Sequence, residues 1–173
     1  MILGLFADIL PKGGIQRITR HVAAILSMYA RSKNLPCCFL SLKDPPKAHD
    51  MEIEGTLVSI QGFGNRKLRF VLAAFKTLFK CKVIYVNHPR LAPLGFVLRL
   101  VWPRAHYIVA TYGIDVWGEL SFLCRMGMRF SNSVTTISPY TEEILIKRQN
   151  IDPEKIKVLP PAVDSKILHH QTE

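Results

Sequence analysis

Short apolar runs alternate with longer amphipathic stretches along the chain. The short runs are typical of buried strands and predict strands at residues 2–7, 37–42, 56–60, 82–86, 106–110, 133–137 and 156–159. Apolar residues at three- and four-residue spacing predict helices between them, from residue 15 to the residues before Pro36 and over 65–80, 91–101, 119–130 and 139–149. The stretch 43–55 contains prolines and acids and predicts an exposed loop.

Strands that alternate with helices from end to end predict βαβ units and a parallel sheet covered by helices on both faces. We therefore predict an α/β fold, a Rossmann-like doubly wound parallel sheet. The length of 173 residues suits one domain. In such sheets ligands bind in the crevice outside the carboxyl ends of the strands. The residues that follow the predicted strands are therefore the candidates for a functional site.

Two glycines, Gly13 and Gly14, follow the first predicted strand and open the first predicted helix. Glycine lets the backbone approach a ligand closely, and a helix N terminus offers N–H groups to an anion. The pair therefore predicts either a phosphate-binding loop or a plain tight turn. The G-x-G-x-x-G sequence of dinucleotide-binding proteins and the lysine of a P-loop are both absent, so neither class is supported.

The stretch 110–118, ATYGIDVWG, places Tyr112, Gly113, Asp115 and Trp117 just past the fifth predicted strand. Asp115 is predicted to accept hydrogen bonds from sugar hydroxyls, to act as a base, or to cap the following helix. Trp117 either packs in the core or stacks on the apolar face of a sugar. The position of the stretch predicts a ligand loop, and the stretch alone does not decide between these roles.

Two further strand ends carry polar side chains. Asn87, His88 and Arg90 follow the fourth predicted strand and either bind polar or anionic groups or form a turn closed by Pro89. Ser138 follows the sixth predicted strand and is either a ligand contact or an ordinary helix N-cap, the interpretation that residue type alone favours.

Lysine and arginine outnumber the acids by 23 to 13, which gives a net charge of +10. This excess indicates an anionic partner: nucleic acid, a membrane surface or a phosphorylated ligand. The predicted helix 65–80 contains no acid, and Arg66, Arg69, Lys76 and Lys80 fall within one sector of it. A basic amphipathic helix favours anionic lipid headgroups, whereas nucleic acid is not favoured because no aromatic residues interleave with the basic ones.

The sequence lacks several other signals. The four cysteines have no C-x-x-C or zinc-like spacing, so we expect buried free thiols and no metal site. No G-x-S-x-G elbow indicates a serine hydrolase. No convincing signal peptide opens the chain, and its most apolar later stretch is too short to span a bilayer. We therefore expect a cytoplasmic protein that can lie on the inner face of the cell membrane.

The strand-end motifs, in their order, resemble the N-terminal domain of the GT-B glycosyltransferases of family four, which are retaining enzymes. The matching segments are PKGGIQRITRHVAAIL, NHPRLAPLGFVLRL, YGIDVWGEL, TTISPYTEEIL and IDPEKIKVLPPAVD. They cover essentially the whole chain. The resemblance implies an N-terminal, acceptor-side domain over residues 1–164 and the start of an interdomain linker over 165–173.

The resemblance also implies roles for single residues. Gly13 and Gly14 match the glycine loop that approaches the donor diphosphate. Asp115 and Tyr112 occupy the catalytic loop beside the reacting sugar, where Tyr112 replaces the histidine that usually begins the family motif. The acceptor cleft would contain His88, Arg90, Gly113, Trp117 and Ser138. The basic helix matches the element with which membrane-associated members contact anionic lipid.

The implied reaction moves a sugar from a nucleotide sugar to a polysaccharide precursor or a lipid-linked glycan, without a cofactor or metal ion. In this family a C-terminal domain holds most of the nucleotide-sugar site and neutralises the leaving diphosphate. That domain is expected as a partner, and the chain alone is expected to be inactive, because stabilising the leaving group is the main catalytic task. The alternative is a non-catalytic Rossmann-like module that binds anionic ligands or membrane and docks to a partner.

Overall fold

The computed structural model describes residues 1–160, in which eight strands form a single sheet. The strands are β1 (Ile2–Phe6), β2 (Cys37–Ser41), β3 (Ala48–Ile53), β4 (Thr56–Gly62), β5 (Val83–Val86), β6 (His106–Ala110), β7 (Ser133–Thr136) and β8 (Ile156–Val158). All the predicted strands are present within three residues of their predicted ends. The predicted domain boundary at residue 164 and the linker over 165–173 lie outside the described residues.

Six α-helices within residues 1–160 connect these strands. They are α1 (Gly14–Ser32), α2 (Lys67–Leu78), α3 (Ala92–Val101), α4 (Ile114–Trp117), α5 (Phe122–Arg129) and α6 (Pro139–Lys147). Short 3-10 turns over Pro89–Leu91 and Pro153–Lys155 precede α3 and β8. Pro139 begins α6 at the first helical position, where its missing N–H costs nothing.

The strand order β3-β4-β2-β1-β5-β6-β7-β8 makes the sheet doubly wound. Every neighbouring pair is parallel except β3 with β4. The chain direction across the sheet reverses between β1 and β5, so the crevice typical of such folds opens above these two strands. The predicted α/β, Rossmann-like fold is confirmed.

Helices cover the two faces of the sheet unequally. Helix α1 packs against β1, β2 and β4 on one face, around a cluster that includes Phe6, Phe39 and Tyr85. Helices α2, α3, α5 and α6 belong to the other face, where the larger cluster contains Phe70, Leu98 and other fully buried side chains. Within residues 1–160, the α1 face therefore carries one long helix and the opposite face carries a full helical layer.

The prediction of an exposed loop over residues 43–55 is wrong, because β3 lies within it. His49, Met51 and Ile53 are half-buried and alternate with exposed neighbours, and β3 pairs with β4 through a turn at Glu54 and Gly55. Both turn residues have positive φ, 49° and 74°, as a tight hairpin requires. The alternation of apolar residues with acids in HDMEI was the signal for this edge strand.

The helix predicted over residues 119–130 is present as α5 but begins three residues later, at Phe122, and the separate short helix α4 before it was not predicted. Helix α4 begins earlier, at Ile114, and the chain leaves it at Gly118 in an extended conformation. Ser121 then caps α5, because its side-chain oxygen accepts a hydrogen bond from Cys124 N at 3.3 Å. Asp115 therefore lies inside a short helix rather than before a long one.

Other structural features concern the cysteines, metal ions and membranes. All four cysteines are free thiols; Cys81 and Cys124 are buried, but Cys37 is exposed at the start of β2, contrary to expectation. Within residues 1–160, no three side chains of the His, Cys, Asp or Glu type come together in a group that could hold a metal ion. No helix among these residues has the length and apolar character needed to cross a bilayer.

Candidate functional site

The loops after β1, β5 and β6 meet at the carboxyl edge of the sheet, because β1, β5 and β6 are consecutive neighbours. This edge brings together His88 from the β5 loop and Asp115 from the β6 loop, whose charges influence each other. The sequence placed both residues at strand ends, and the topology makes them neighbours.

His88 is half-buried and is held by its own loop. Its Nδ1 accepts a hydrogen bond from Arg90 N at 3.1 Å. Burial lowers the pKa of His88, the Asp115 carboxylate opposes this shift, and Arg90 and Lys43 add to it. The imidazole is therefore neutral at pH 7, and because Nδ1 accepts, its proton resides on Nε2. Nε2–H is thus available to donate to an oxygen of a ligand.

The carboxylate of Asp115 holds the loop that contains it. Its two oxygens accept hydrogen bonds from Tyr112 N at 3.0 and 3.2 Å. Burial raises the pKa of Asp115, and the hydrogen bond from Tyr112 N and the proximity of His88 oppose this shift. A carboxylate oxygen has more than one lone pair, so Asp115 can hold its loop and still accept a hydrogen bond from a ligand hydroxyl.

Tyr112 points into the interior between α1 and the sheet. Its side chain is buried, and its hydroxyl lies 3.4 Å from the hydroxyl of Tyr85. Burial raises the pKa of Tyr112, and hydrogen bonds from neighbours that include Thr19 and Asn87 oppose the shift. Its predicted catalytic role stays a prediction, but the phenol occupies a structural position under the loop.

Gly113 gives the β6 loop its shape. Its φ of 124° lies in a region that side chains with a Cβ rarely adopt, and an added Cβ would also meet the Trp117 ring at 3.4 Å. Trp117 is 39% exposed, and its ring packs edge-on against Tyr140 with the centroids 5.4 Å apart. The loop therefore exposes an aromatic pair beside Asp115.

Ser138 acts as the N-cap of α6. Its side-chain oxygen accepts a hydrogen bond from Thr141 N at 3.2 Å and lies 3.0 Å from the Thr141 hydroxyl. The Thr141 hydroxyl is in turn 3.4 Å from Trp117 Nε1. Ser138 thus supports the aromatic pair through Thr141, and its predicted contact with an acceptor stays a prediction.

The glycine loop precedes α1. A Cβ on Gly13 would lie 2.3 Å from Gln16 Oε1, and Gln16 Nε2 donates to Asp8 Oδ1 at 2.7 Å. A Cβ on Gly14 would meet nothing within 4 Å, so open space lies in front of this residue. No side chain among residues 1–160 caps this N terminus, and no acid occupies the first turn of α1. Its partial positive charge therefore faces the open space.

Two residues that the sequence did not identify hold the glycine loop in place. The buried Asp44 carboxylate accepts hydrogen bonds from Ile9 N at 2.9 Å and from the Ser41 hydroxyl at 2.6 Å. Arg20, one turn inside α1, donates to Ile9 O at 2.9 Å. Aspartate and arginine near loops are common, and only the tertiary contacts reveal these roles.

Asn87 connects three elements at the switch point. Its Oδ1 accepts a hydrogen bond from Ala7 N at 2.8 Å, and its Nδ2 donates to Thr19 Oγ1 at 3.2 Å. The side chain is buried. Asn87 therefore ties the ends of β1 and β5 to α1, and both its amide nitrogen and its amide oxygen are engaged inside the protein.

The four predicted membrane-binding cations are exposed: Arg69 and Lys76 belong to α2, Arg66 is its N-cap, and Lys80 follows its C-terminal end. Leu68, Leu72 and Phe79 are also exposed, at 81, 60 and 63%. The predicted apolar side of the helix is thus divided, because the buried residues are Phe70, Ala74 and Leu78. A stripe of cations and a stripe of large apolar side chains lie next to each other on its outer face.

No protein-family model matches the sequence, and no curated protein matches it either. The fold does match solved structures. Residues covering 94% of this chain superpose on the HepE protein of Anabaena, crystallised with UDP, at a TM-score of 0.60 and 15% identity. The chain spans 44% of the length of that protein.

Two further structures share the fold. Sucrose-phosphate synthase from Thermosynechococcus elongatus matches 99% of this chain at a TM-score of 0.58 and 14% identity, over 94% of its own length. A trehalose-6-phosphate structure from E. coli, bound with UDP-2-fluoro glucose, matches 98% at a TM-score of 0.56 and 10% identity, over 50% of its length. These likenesses show a shared fold, a Rossmann-like α/β domain.

Proposed function

We propose that this chain is the acceptor-side domain of a glycosyltransferase that uses a nucleotide sugar. The observation that carries the proposal is the convergence of the Gly14 loop, His88 and Asp115 at the switch point of this sheet. Two of the structures that share the fold hold UDP or UDP-2-fluoro glucose. The finer assignment is a retaining, metal-independent enzyme of family four.

The proposed roles follow from the hydrogen-bonding capacity of each group. The N terminus of α1 faces open space at Gly14 and would receive the donor diphosphate. His88 would donate from Nε2 to an oxygen of the acceptor or the transferred sugar, and Asp115 would accept from a sugar hydroxyl. The exposed Trp117 would stack on a sugar face. Tyr112 would act as a positioning residue under the loop.

A second domain completes the proposal. The chain spans 44% and 50% of the length of two proteins that share its fold and hold UDP or a UDP-sugar, so we propose that a C-terminal domain supplies the remaining contacts to the nucleotide sugar. Stabilising the charge of the departing diphosphate is the largest electrostatic task in such a transfer. The isolated chain is accordingly expected to lack turnover.

The test is transfer from labelled nucleotide sugars by the full-length protein that contains this chain. Asp115→Asn and His88→Gln are expected to lower kcat at least tenfold, whereas Asp50→Asn on the distant β3 edge leaves it unchanged. Full-length protein that neither binds a nucleotide sugar nor transfers its sugar would overturn the proposal and favour the non-catalytic, anion-binding module.

Tyr112 allows a finer test of the same proposal. Tyr112→Phe removes the hydroxyl that lies beside Tyr85 and is expected to reduce stability by about 1 kcal/mol. A positioning role predicts that KM and kcat change little once the variant is folded. A loss of kcat of a hundredfold or more, with unchanged stability, would instead place the hydroxyl in the reaction.

We further propose that the outer face of α2 rests on an anionic membrane surface. The adjoining cationic and apolar stripes support this, because lipid headgroups attract the cations while the interface receives Leu68, Leu72 and Phe79. The protein would then be a peripheral one on the cytoplasmic face, close to membrane-borne acceptors.

Sedimentation with vesicles tests this second proposal. Anionic vesicles are expected to bind the protein and neutral vesicles to leave it in solution. Replacing Arg66, Arg69, Lys76 and Lys80 by Gln should abolish the binding. Replacing Lys12, Lys33, Lys47 and Lys157, which are exposed elsewhere, by Gln removes the same four charges and serves as the control. Equal loss in both variants would mean that only net charge matters and would contradict a specific face.

A further inference from the structure

A cavity of about 490 Å³ lies beside the switch point, between the carboxyl edge of the sheet and the first turns of α2 and α3. Ala7 after β1, Lys43 after β2 and His88 after β5 form its inner end. Lys67 and Phe70 of α2 and Leu94 of α3 belong to the side formed by the helices. The cavity thus borders the proposed reaction site and extends away from it beneath the helical layer.

The polar lining of the cavity consists of four basic side chains and the amide of Asn65. Lys43, Lys67, Arg90 and His88 all line it, and no carboxylate does. Lys43 is engaged with Asp8 at 3.2 Å, but within residues 1–160 neither Lys67 nor Arg90 forms an ion pair. An oxyanion such as phosphate only accepts hydrogen bonds, so it matches this lining. A neutral glycan would also need acceptors for its hydroxyl groups.

Apart from these basic side chains and Asn65, the lining is apolar. Val71 of α2 and Leu91, Pro93 and Leu94 at the start of α3 lie in it together with Phe70. A charged headgroup alone would not use such a surface, whereas a hydrocarbon chain would gain about 25 cal/mol for each Å² that it buries. The ligand that satisfies both parts of the lining carries an anionic group and an apolar body.

The cavity continues onto the outer face of α2. Asn65 and Lys67 line both this cavity and a shallow depression that contains Leu68 and Arg69. Leu68 and Leu72 are exposed along the same side of the helix. An apolar chain that leaves the cavity would therefore run over these side chains toward the proposed membrane-contacting face.

The segment that builds most of this region has an extreme charge pattern. Residues 55–114 contain nine lysines and arginines and no aspartate or glutamate. The acids of the neighbouring loops bond inside the protein: Asp8 to Gln16 and Lys43, Asp44 to Ile9 N and the Ser41 hydroxyl, and Asp115 to Tyr112 N. The electrostatic field at the cavity is accordingly positive, which favours an anion over a neutral or cationic ligand.

We propose that this cavity binds the phosphate-bearing end of an amphiphilic acceptor, a phosphate or diphosphate ester of a long apolar alcohol. Lys67 and Arg90 bind the phosphate oxygens, Nε2–H of His88 donates to one of them, and the apolar side chains of α2 and α3 bind the first part of the hydrocarbon chain. The inference rests on the proposed function, because it names the class of acceptor for the proposed sugar transfer.

Binding of decyl phosphate to the 173-residue chain, measured by calorimetry below the concentration at which micelles form, tests the proposal without any donor. Decyl phosphate is expected to bind at least tenfold more tightly than inorganic phosphate or decanol. Lys67→Gln combined with Arg90→Gln should weaken it at least tenfold. Val71→Thr, in which the new side chain has nearly the same volume, should weaken the binding of decyl phosphate and leave the binding of inorganic phosphate unchanged.

The control is the triple variant Arg69→Gln, Lys76→Gln, Lys80→Gln, which removes three of the four cations of the outer face of α2 and is expected to keep decyl phosphate binding within twofold. If this variant loses binding as strongly as the Lys67 and Arg90 variant, the ligand adheres to the helix surface and the cavity proposal is overturned. Equal affinity for inorganic phosphate would reduce the site to one for a free anion and would also overturn it.

The outcome is separable from that of the proposed function. A protein that transfers sugar but does not bind decyl phosphate would retain the glycosyltransferase assignment and exclude an amphiphilic acceptor. If the protein binds decyl phosphate through Lys67 and Arg90 but does not bind a nucleotide sugar, the proposal for the cavity stands and the glycosyltransferase assignment is excluded.

Discussion

Two groups of polar residues at the carboxyl edge of the sheet differ in what they bind. On the α1 side, Asp44, Arg20 and Asn87 direct their side chains at backbone groups of neighbouring loops. On the α2 side, Lys67 and Arg90 line a cavity and form no ion pair within residues 1–160. The first group determines the shape of the loops, and the second is available to a ligand. A polar residue near the end of a strand is therefore not always a ligand contact. The two groups are distinguished by whether the side chain is already bonded to another group of the protein.

The sharpest test of this difference is Asp44→Ala. The substitution removes the acceptor of the buried Ile9 N–H and of the Ser41 hydroxyl, so we expect a loss of about 3 kcal/mol in the free energy of unfolding. Urea denaturation measures it, with Asp50→Ala on exposed β3 as the control. A loss below about 1 kcal/mol would show that water replaces the carboxylate, since each lost hydrogen bond contributes roughly that much.

Gly113→Ala tests whether the β6 loop also belongs to the shape-determining group. At φ 124° an alanine is strained, and we expect a loss of about 2 kcal/mol. Gly118→Ala is the matched control, because its φ is −83° and an added Cβ meets nothing within 4 Å. If both variants are equally stable, the loop adopts another conformation in solution.

His88 shares features of both groups. Its Nδ1 accepts a hydrogen bond from Arg90 N inside the protein, whereas its Nε2–H is available to a ligand. Folding lowers its pKa, so the unfolded chain binds the proton more tightly, and stability decreases as the pH falls below about 6.5. The decrease levels off below the folded pKa. His88→Asn keeps an acceptor for Arg90 N–H but cannot titrate, so its melting temperature should depend less on pH. Identical pH profiles would contradict the assignment.

The smallest effect is expected for the second group. Lys67→Gln and Arg90→Gln remove exposed cations that bond to no partner within residues 1–160, so each should change the free energy of unfolding by less than about 0.5 kcal/mol. Denaturation of each variant checks this. A loss above about 1 kcal/mol, which removal of a hydrogen-bonded group typically causes, would assign the residue to the shape-determining group.

Hydrophobic periodicity predicted most of the fold, because a strand buried on both faces and an amphipathic helix each have a local pattern. It missed β3, which lies at the sheet edge and contacts the core with one side only. It placed His88 and Asp115 at strand ends, and the strand order then explains why they meet.

The direction of side chains could not be read from the sequence in the same way. Tyr112 comes two residues after β6, where the alternation of the strand no longer applies, and its phenol turns inward. Asp44 bonds to a loop 35 residues earlier in the chain. A contact over that separation depends on how β1 and β2 pair, and no local pattern records it.

The charge of residues 55–114 has a kinetic consequence. The other 113 residues carry 14 of the 23 cations and all 13 acids, so nearly the whole net charge of +10 belongs to this one segment. A molecule whose net charge is concentrated in one region rotates in the field of an anionic partner before they touch. Such steering raises association rates by roughly 10- to 1,000-fold and weakens as salt shortens the range of the field to about 8 Å. Encounters at low ionic strength should therefore be both frequent and already oriented, with α2 and the cavity leading.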